Sequence, residues 1–151
     1  MNEMNKNIIS TAESCTGGNI AHIITAVAGS SDYFKGSVVS YCNDVKVNIL
    51  GVNAADIERY GVVSSQVAEQ MARGVQKLLD TDYAVATTGV AGPGASDGLP
   101  AGTIWVGVAS RTEVKTRLLS LGSDRIKNIE DASRLAIDFL QEAFGIEVPH
   151  I

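Results

Sequence analysis

An α/β fold with helices on both faces of a mixed sheet is what this 151-residue chain predicts, and three observations carry it. Short apolar stretches alternate with amphipathic helical patterns as far as Thr88, the mark of strand–helix–strand units. The next stretch changes to two neighbouring strands joined by a polar turn, which reads as a hairpin. A composition of 45% hydrophobic and 19% charged residues supports one core, and hence a single domain over residues 1–151.

Asn7 to Glu13 reads as the first strand. The segment Thr11-Ala-Glu-Ser-Cys-Thr-Gly-Gly18 then leads into a helix on which Ile20, Ile23, Ile24 and Val27 share a face. A strand passing through small polar residues and paired glycines into a helix exposes backbone N–H groups at the helix start. An anion is favoured there, by the orphan donors and by the macrodipole. The spacing matches neither the dinucleotide fingerprint nor a P-loop, so it predicts an anion cradle without naming the anion. Gly29-Ser-Ser-Asp32 breaks the helix, with Gly29 suited to its C-terminal cap. Ser37 to Tyr41 predicts a second strand, and Asn43 the cap of a short helix through Leu50.

Ser64 and Ser65 open a longer helix with Val67, Met71, Val75 and Leu78 on one side. Tyr83 to Thr88 reads as a buried strand ending in a glycine-rich loop, Gly89 to Gly98. The hairpin strands are Thr103 to Ala109 and Val114 to Leu121, and Asp124 caps a final helix carrying Leu135, Phe139 and Leu140. In such sheets ligands bind outside the carboxyl ends of the strands. That rule gathers Glu13 to Thr16, Tyr41 to Asn43, Lys46 and the Thr87-to-Gly94 loop into one place.

Composition narrows the chemistry. The net charge of −5 and the lack of a basic run argue against a nucleic-acid surface. No apolar stretch approaches the length of a membrane span, and the polar start MNEMNKN reads as neither signal peptide nor anchor. Two cysteines, Cys15 and Cys42, make no disulfide framework and suit a reduced, cytoplasmic setting. Two histidines, His22 and His150, make no metal cluster and no Ser-His-Asp triad.

A hydrolase built from this inventory needs a hydroxyl or thiol nucleophile and a lysine or tyrosine base. Lys46 lies five positions after Tyr41 across a strand-to-helix corner, where a desolvated ammonium loses its proton more readily. The plain alternative is a solvated lysine beside a half-buried tyrosine. Ser31 sits in the turn after the first helix, where turn chemistry alone would explain it. Cys15, at a helix start that lowers a thiol pKa, competes as nucleophile, against the commoner role of a small buried cysteine. Glu13 is placed either to face a cationic ligand group or to hydrogen-bond the glycine loop. Ser14 and Thr16 are helix-capping residues at least.

Six segments in order resemble one family across almost the whole chain. They are TAESCTGG at 11–18, AGSSDYFKGSVVSYCNDVK at 28–46, GVVS at 61–64, TGVAGPGA at 88–95, GTIWVGVA at 102–109 and SDR at 123–125. The chain thereby resembles the C-terminal domain of the competence/damage-inducible protein CinA, whose characterised members include nicotinamide-nucleotide amidases. The resemblance implies a three-layer α/β/α sandwich with a mixed, mostly parallel sheet of about five strands. It implies hydrolysis of the carboxamide of nicotinamide mononucleotide to the acid mononucleotide and ammonia, with no cofactor and no metal.

It further implies Ser31 as nucleophile, with Tyr41 and Lys46 activating it. Glu13, Ser14, Thr16, Gly17, Gly89, Gly92 and Arg125 are then the expected substrate-binding residues. The expected partners are a small-molecule nucleotide and a second copy of the chain, with neither nucleic acid nor membrane. Because the sequence starts almost at the first strand, neither the helix that often precedes that strand in the family nor the often-fused N-terminal domain is expected, and Thr88 stands where serine is usual. The chain also carries Ile129 and Glu130 where a basic residue often follows the Asp-Arg pair. Two rivals stand beside the amidase. A non-catalytic nucleotide-binding module would share the scaffold. A short-chain dehydrogenase fails on its Tyr-x-x-x-Lys and glycine spacings.

Overall fold

The computed structural model describes residues 7–151, so the expectations about the polar start lie outside the described residues as far as Lys6. In chain order the elements are β1 (Ile9–Glu13), α1 (Asn19–Thr25), a 3-10 turn (Ser30–Asp32), β2 (Phe34–Val39) and α2 (Asn43–Asn48). Then come α3 (Ala54–Tyr60), α4 (Ser65–Leu79), β3 (Tyr83–Gly89), β4 (Thr103–Ala109), β5 (Val114–Ser120) and α5 (Arg125–Phe144).

One five-stranded sheet has the order β2-β1-β3-β4-β5. β1 pairs in parallel with β2 and with β3, while β4 pairs antiparallel with β3 and with β5. Four of the five strands therefore point the same way, and only β4 runs against them.

Side-chain alternation divides the core in two. On one face Ile20, Ile24, Val85, Ile104, Val106 and Leu140 pack under α1 and α5. On the other Ala12, Ala84 and Ala86 meet Val67, Met71 and Val75 of α4. The three-layer sandwich follows. The connection from β1 to β2 uses α1 on one face, and the return from β2 to β3 uses α4 on the other. Consecutive crossovers on opposite faces open a crevice between the carboxyl ends of β1 and β3, the switch point where α/β sheets bind ligands.

Local differences from the sequence expectation have local causes. β2 begins at Phe34 rather than Ser37, because Phe34 and Gly36 already pair with Ile9 and Ser10. Gly29, with φ of 85°, opens the 3-10 turn instead of capping α1, which ends at Ala26. Asn43 is the first residue of α2, and Cys42 occupies its cap position. Helix α3 was not expected: it fully buries no side chain, and only Ile57 packs partly against the core, so it has no apolar stripe to read, although Asn53 caps it by accepting from the Ala55 and Asp56 N–H groups.

The α4 layer lies close enough to the sheet to require glycine at Gly107, where an added Cβ would stand 2.5 Å from the Ala68 carbonyl oxygen. Val106, Val108 and Ala68 are fully buried around it. Gly107→Ala should cost about 1–3 kcal/mol by overpacking, read as a lower midpoint in chemical denaturation. An unchanged midpoint would show that the helix can retreat.

Candidate active site

The crevice at the switch point is a cleft of about 280 Å³. Ser14 and Cys15 reach it from the end of β1, Tyr41 and Lys46 from the far side of β2, and the Gly89-to-Gly94 loop from β3. Val62 and Val63 wall it ahead of α4, and Arg125 closes it from the first position of α5. A wider depression of about 510 Å³ is lined by Asp82 and Arg111, far from this cleft in the sheet. Arg111 is already paired there with Asp80 and Asp82, and the Ser110 hydroxyl accepts the turn amides of Thr112 and Glu113. No nucleophile and base meet in that depression among the described residues.

In the cleft they do. After β2 the chain turns at Ser40–Cys42, and α2 aims Lys46 back under the end of β1. Lys46 is 1% exposed. Its Nζ lies 3.0 Å from Ser14 Oγ and donates to the Ser40 carbonyl at 2.6 Å. No carboxylate pairs with it among the described residues. Burial therefore pulls its pKa below the ordinary lysine value, only partly opposed by the thiols of Cys15 and Cys42. Lys46 Nζ donates to the Ser14 hydroxyl, and a buried amine whose pKa is lowered is the type of group that can take a proton from such a hydroxyl once it has lost its own.

Tyr41 is 60% exposed. Its phenol oxygen accepts from Arg125 Nη2 at 2.8 Å, while Arg125 Nη1 donates to the Gly92 carbonyl at 2.6 Å. The guanidinium thus ties the β2 side of the cleft to the glycine loop. Tyr41 makes no hydrogen bond to Lys46 or Ser14 among the described residues, so the lysine reaches the serine directly rather than through a phenol relay.

The expected nucleophile and the expected base do not meet in the structure. Ser31 lies before β2, in a surface pocket with Ile8, Tyr33, Phe34, Lys35 and Asp80, whereas Lys46 and Tyr41 lie beyond the other end of that strand. At about 3.3 Å per residue, the six residues of β2 and their flanks hold these positions on the order of 20 Å apart. Ser31 cannot be activated by Lys46 within one chain; the serine that Lys46 touches is Ser14.

The anion cradle is corrected too. Glu13 is fully buried, and its two oxygens accept from the Ile20 and Ala21 N–H groups at 2.8 and 2.9 Å. Thr16 Oγ1 donates to the same carboxylate and contacts Thr87 Oγ1. The start of α1 therefore holds the chain's own carboxylate. Glu13 and Thr16 stand behind the cleft wall, not in it. Gly17, with φ of 60°, serves the turn that brings α1 down onto Glu13.

Glu13→Gln would set an amide donor against backbone donors, and should cost about 1–3 kcal/mol of stability. Denaturation of the variant checks this, and an unchanged midpoint would remove Glu13 from the anchoring role. Cys15 does reach the cleft, but burial pushes its thiol up to about 12. It is therefore a thiol and not a thiolate at neutral pH, which removes it as nucleophile.

Of the remaining expected residues, Ser14, Gly89, Gly92 and Arg125 line the cleft. Sequence reasoning passed over Asn128, which is 2% exposed in α5 and donates from Nδ2 to the carbonyls of Ala91 and Gly122. A signal for it existed. Asn128, Ala132, Ala136 and Leu140 fall every four residues on one buried stripe, and an amide on a core stripe demands polar partners.

No helix of the described residues is long and apolar enough to cross a membrane. No group of three His, Cys, Asp or Glu that could hold a metal is present among them.

Comparison with known proteins agrees with the fold. The CinA C-terminal domain model matches residues 1–144. A CinA-like protein of Rippkaea orientalis is 51% identical over 119 residues, covering 78% of this chain and 29% of the relative. One of Salinibacter ruber is 47% identical over 139 residues, covering 91% and 34%. The chain thus spans about a third of the length of the curated relatives it matches. Among solved structures, a competence-damaged protein (CinA) superfamily protein from Escherichia coli superimposes with a TM-score of 0.89 at 32% identity, covering 94% of this chain and 83% of that one. The competence/damage-inducible protein CihA from Agrobacterium tumefaciens gives 0.86 at 37% identity, covering 90% and 84%.

Proposed function

The chain belongs to the CinA C-terminal domain family, and from that premise we propose that it is an amidase that hydrolyses the carboxamide of nicotinamide mononucleotide through a serine–lysine pair. The observation that carries the reading is the 3.0 Å contact between buried Lys46 Nζ and Ser14 Oγ in a cleft at the switch point.

In this mechanism neutral Lys46 takes the proton of Ser14 as Oγ bonds to the carboxamide carbon. The tetrahedral adduct collapses, its C–N bond breaks, and the nitrogen leaves as ammonia with the proton returned by Lys46. An ester to Ser14 remains. Water attacks it, Lys46 accepts the water proton and passes it to Ser14 Oγ, and the acid mononucleotide departs. Arg125, held by Tyr41 and Gly92, keeps a positive charge at the mouth of the cleft, where an anionic mononucleotide is attracted. The metal-free inventory is sufficient, because an amine and a hydroxyl supply both proton transfer and covalent catalysis.

The test is incubation of the purified protein with nicotinamide mononucleotide, following ammonia and acid mononucleotide. The two should appear in equal amounts, with no requirement for added metal. Binding of the mononucleotide without release of either product would replace the amidase by the silent nucleotide-binding module.

A further inference from the structure

The glycine loop after β3 is pinned in an unusual sense. Three successive carbonyls, those of Val90, Ala91 and Gly92, accept from Gly102 N at 2.7 Å, Asn128 Nδ2 at 2.9 Å and Arg125 Nη1 at 2.6 Å. Gly102, just ahead of β4, and Asn128, in α5, stand outside the cleft that Ser14 lines, while Arg125 closes its mouth. A trans peptide unit is planar with its N–H opposed to its C=O. The Ala91 N–H is therefore directed away from β4, toward the end of β1 where Ser14 stands. The Gly92 N–H is directed away from α5. Neither donor has a hydrogen-bond partner among the described residues, although both residues line the cleft.

We propose that the Ala91 and Gly92 amides form the oxyanion cradle of the reaction and that Asn128 is the positioning residue that aims them. The proposal rests on the amidase reading and deepens it. An acyl-transfer site needs a base on one side of the nucleophile and donors for the developing oxyanion on another. Lys46 supplies the first from the β2 side, and the loop supplies the second from the β3 side. Asn128 acts at one remove. By holding the Ala91 carbonyl it fixes the peptide plane whose other end is the Gly92 N–H, so the donors need no reorganisation as charge develops. Pro93 adds no N–H, and the cradle is limited to the two amides before it.

Asn128→Asp presents carboxylate oxygens to two carbonyls and releases the loop without changing side-chain size. Its kcat for nicotinamide mononucleotide should fall about 10²-fold, the loss typical of a missing oxyanion donor. KM should be nearly unchanged, and so should the acidic limb of the pH profile, because Lys46 is untouched. A rise in KM at unchanged kcat would overturn the positioning role.

Should the variant fail to fold, the wild-type protein decides the matter with 3-pyridylboronic acid. This neutral boronic acid is attacked by Ser14 Oγ, with the serine proton passing to Lys46, and becomes a tetrahedral boronate. Amide protons of Ala91 and Gly92 should then shift downfield in the NMR spectrum. Shifts confined to Cys15 and Thr16 would place the cradle in the nucleophile's own turn and overturn the proposal. A wild type without turnover, but with boronate shifts at Ala91 and Gly92, would sink the amidase reading and leave the cradle standing.

Discussion

Ser14→Ala should abolish release of ammonia from nicotinamide mononucleotide, by at least about 10³-fold, while leaving the fold and nucleotide binding in place. Ser31→Ala should leave the rate unchanged. The pair of variants is informative because sequence and structure disagree about them. Both serines are small, both sit near a helix end, and each belongs to one of the segments that identify the family. Only Ser14 shares a cleft with the base. Its hydroxyl meets Lys46 Nζ, and its own N–H is held by the Thr87 carbonyl at 3.2 Å. Ser31 faces Tyr33 and Lys35 at the opposite end of β2. Loss of activity in Ser31→Ala with full activity in Ser14→Ala would reverse the assignment. The monomer offers no route to that result, so it would require a second chain to bring Ser31 to the cleft.

The contrast shows what the sequence could convey. Periodicity placed four of the five strands to within a residue or two at most of their ends, because β1, β3 and β4 are largely buried and β5 is tied to β4 in the hairpin. It also found α4 and α5, whose stripes face the core except at Leu78 and Leu135, which are exposed. It missed α3, which fully buries no side chain. The cleft was legible as a set of polar segments at the carboxyl ends of parallel strands, because that follows from topology alone.

The serine that meets Lys46 was not legible, because choosing between two serines needs the length of β2 as a physical distance. Counting positions puts Ser31 nearer to Lys46 than Ser14 is, by 15 residues against 32. Pairing of β1 with β2 in parallel reverses that order in space. The same blindness hid the role of Glu13. A carboxylate at the end of a strand looks like a ligand contact until the following helix folds back and takes it as its N-terminal anion.

Lys46→Met should separate catalysis from stability more cleanly than any other substitution in this chain. The apolar side chain occupies nearly the same space and removes the base, so kcat should fall about 10²–10⁴-fold. Stability moves the other way. The folded-state pKa of Lys46 is depressed by burial. Between that lowered value and the ordinary lysine pKa, the unfolded chain therefore holds a proton that the folded chain does not. Wherever the unfolded state binds more protons, stability rises with pH.

The wild type should consequently gain stability as pH climbs through that window, and below it the cost of a buried unpaired ammonium is fully present. Lys46→Met should lose this slope and be at least as stable as the wild type on its acidic side, because the methionine has no charge to desolvate. Denaturation midpoints of both proteins across pH 6 to 10 would check this, and parallel curves would show that folding does not lower the pKa of Lys46. The same window governs activity. Turnover should rise with pH as Lys46 loses its proton, along an acidic limb below the usual lysine range. A rate independent of pH through that range would mean that the Ser14 proton goes elsewhere, and the serine–lysine pair would fail as the catalytic unit.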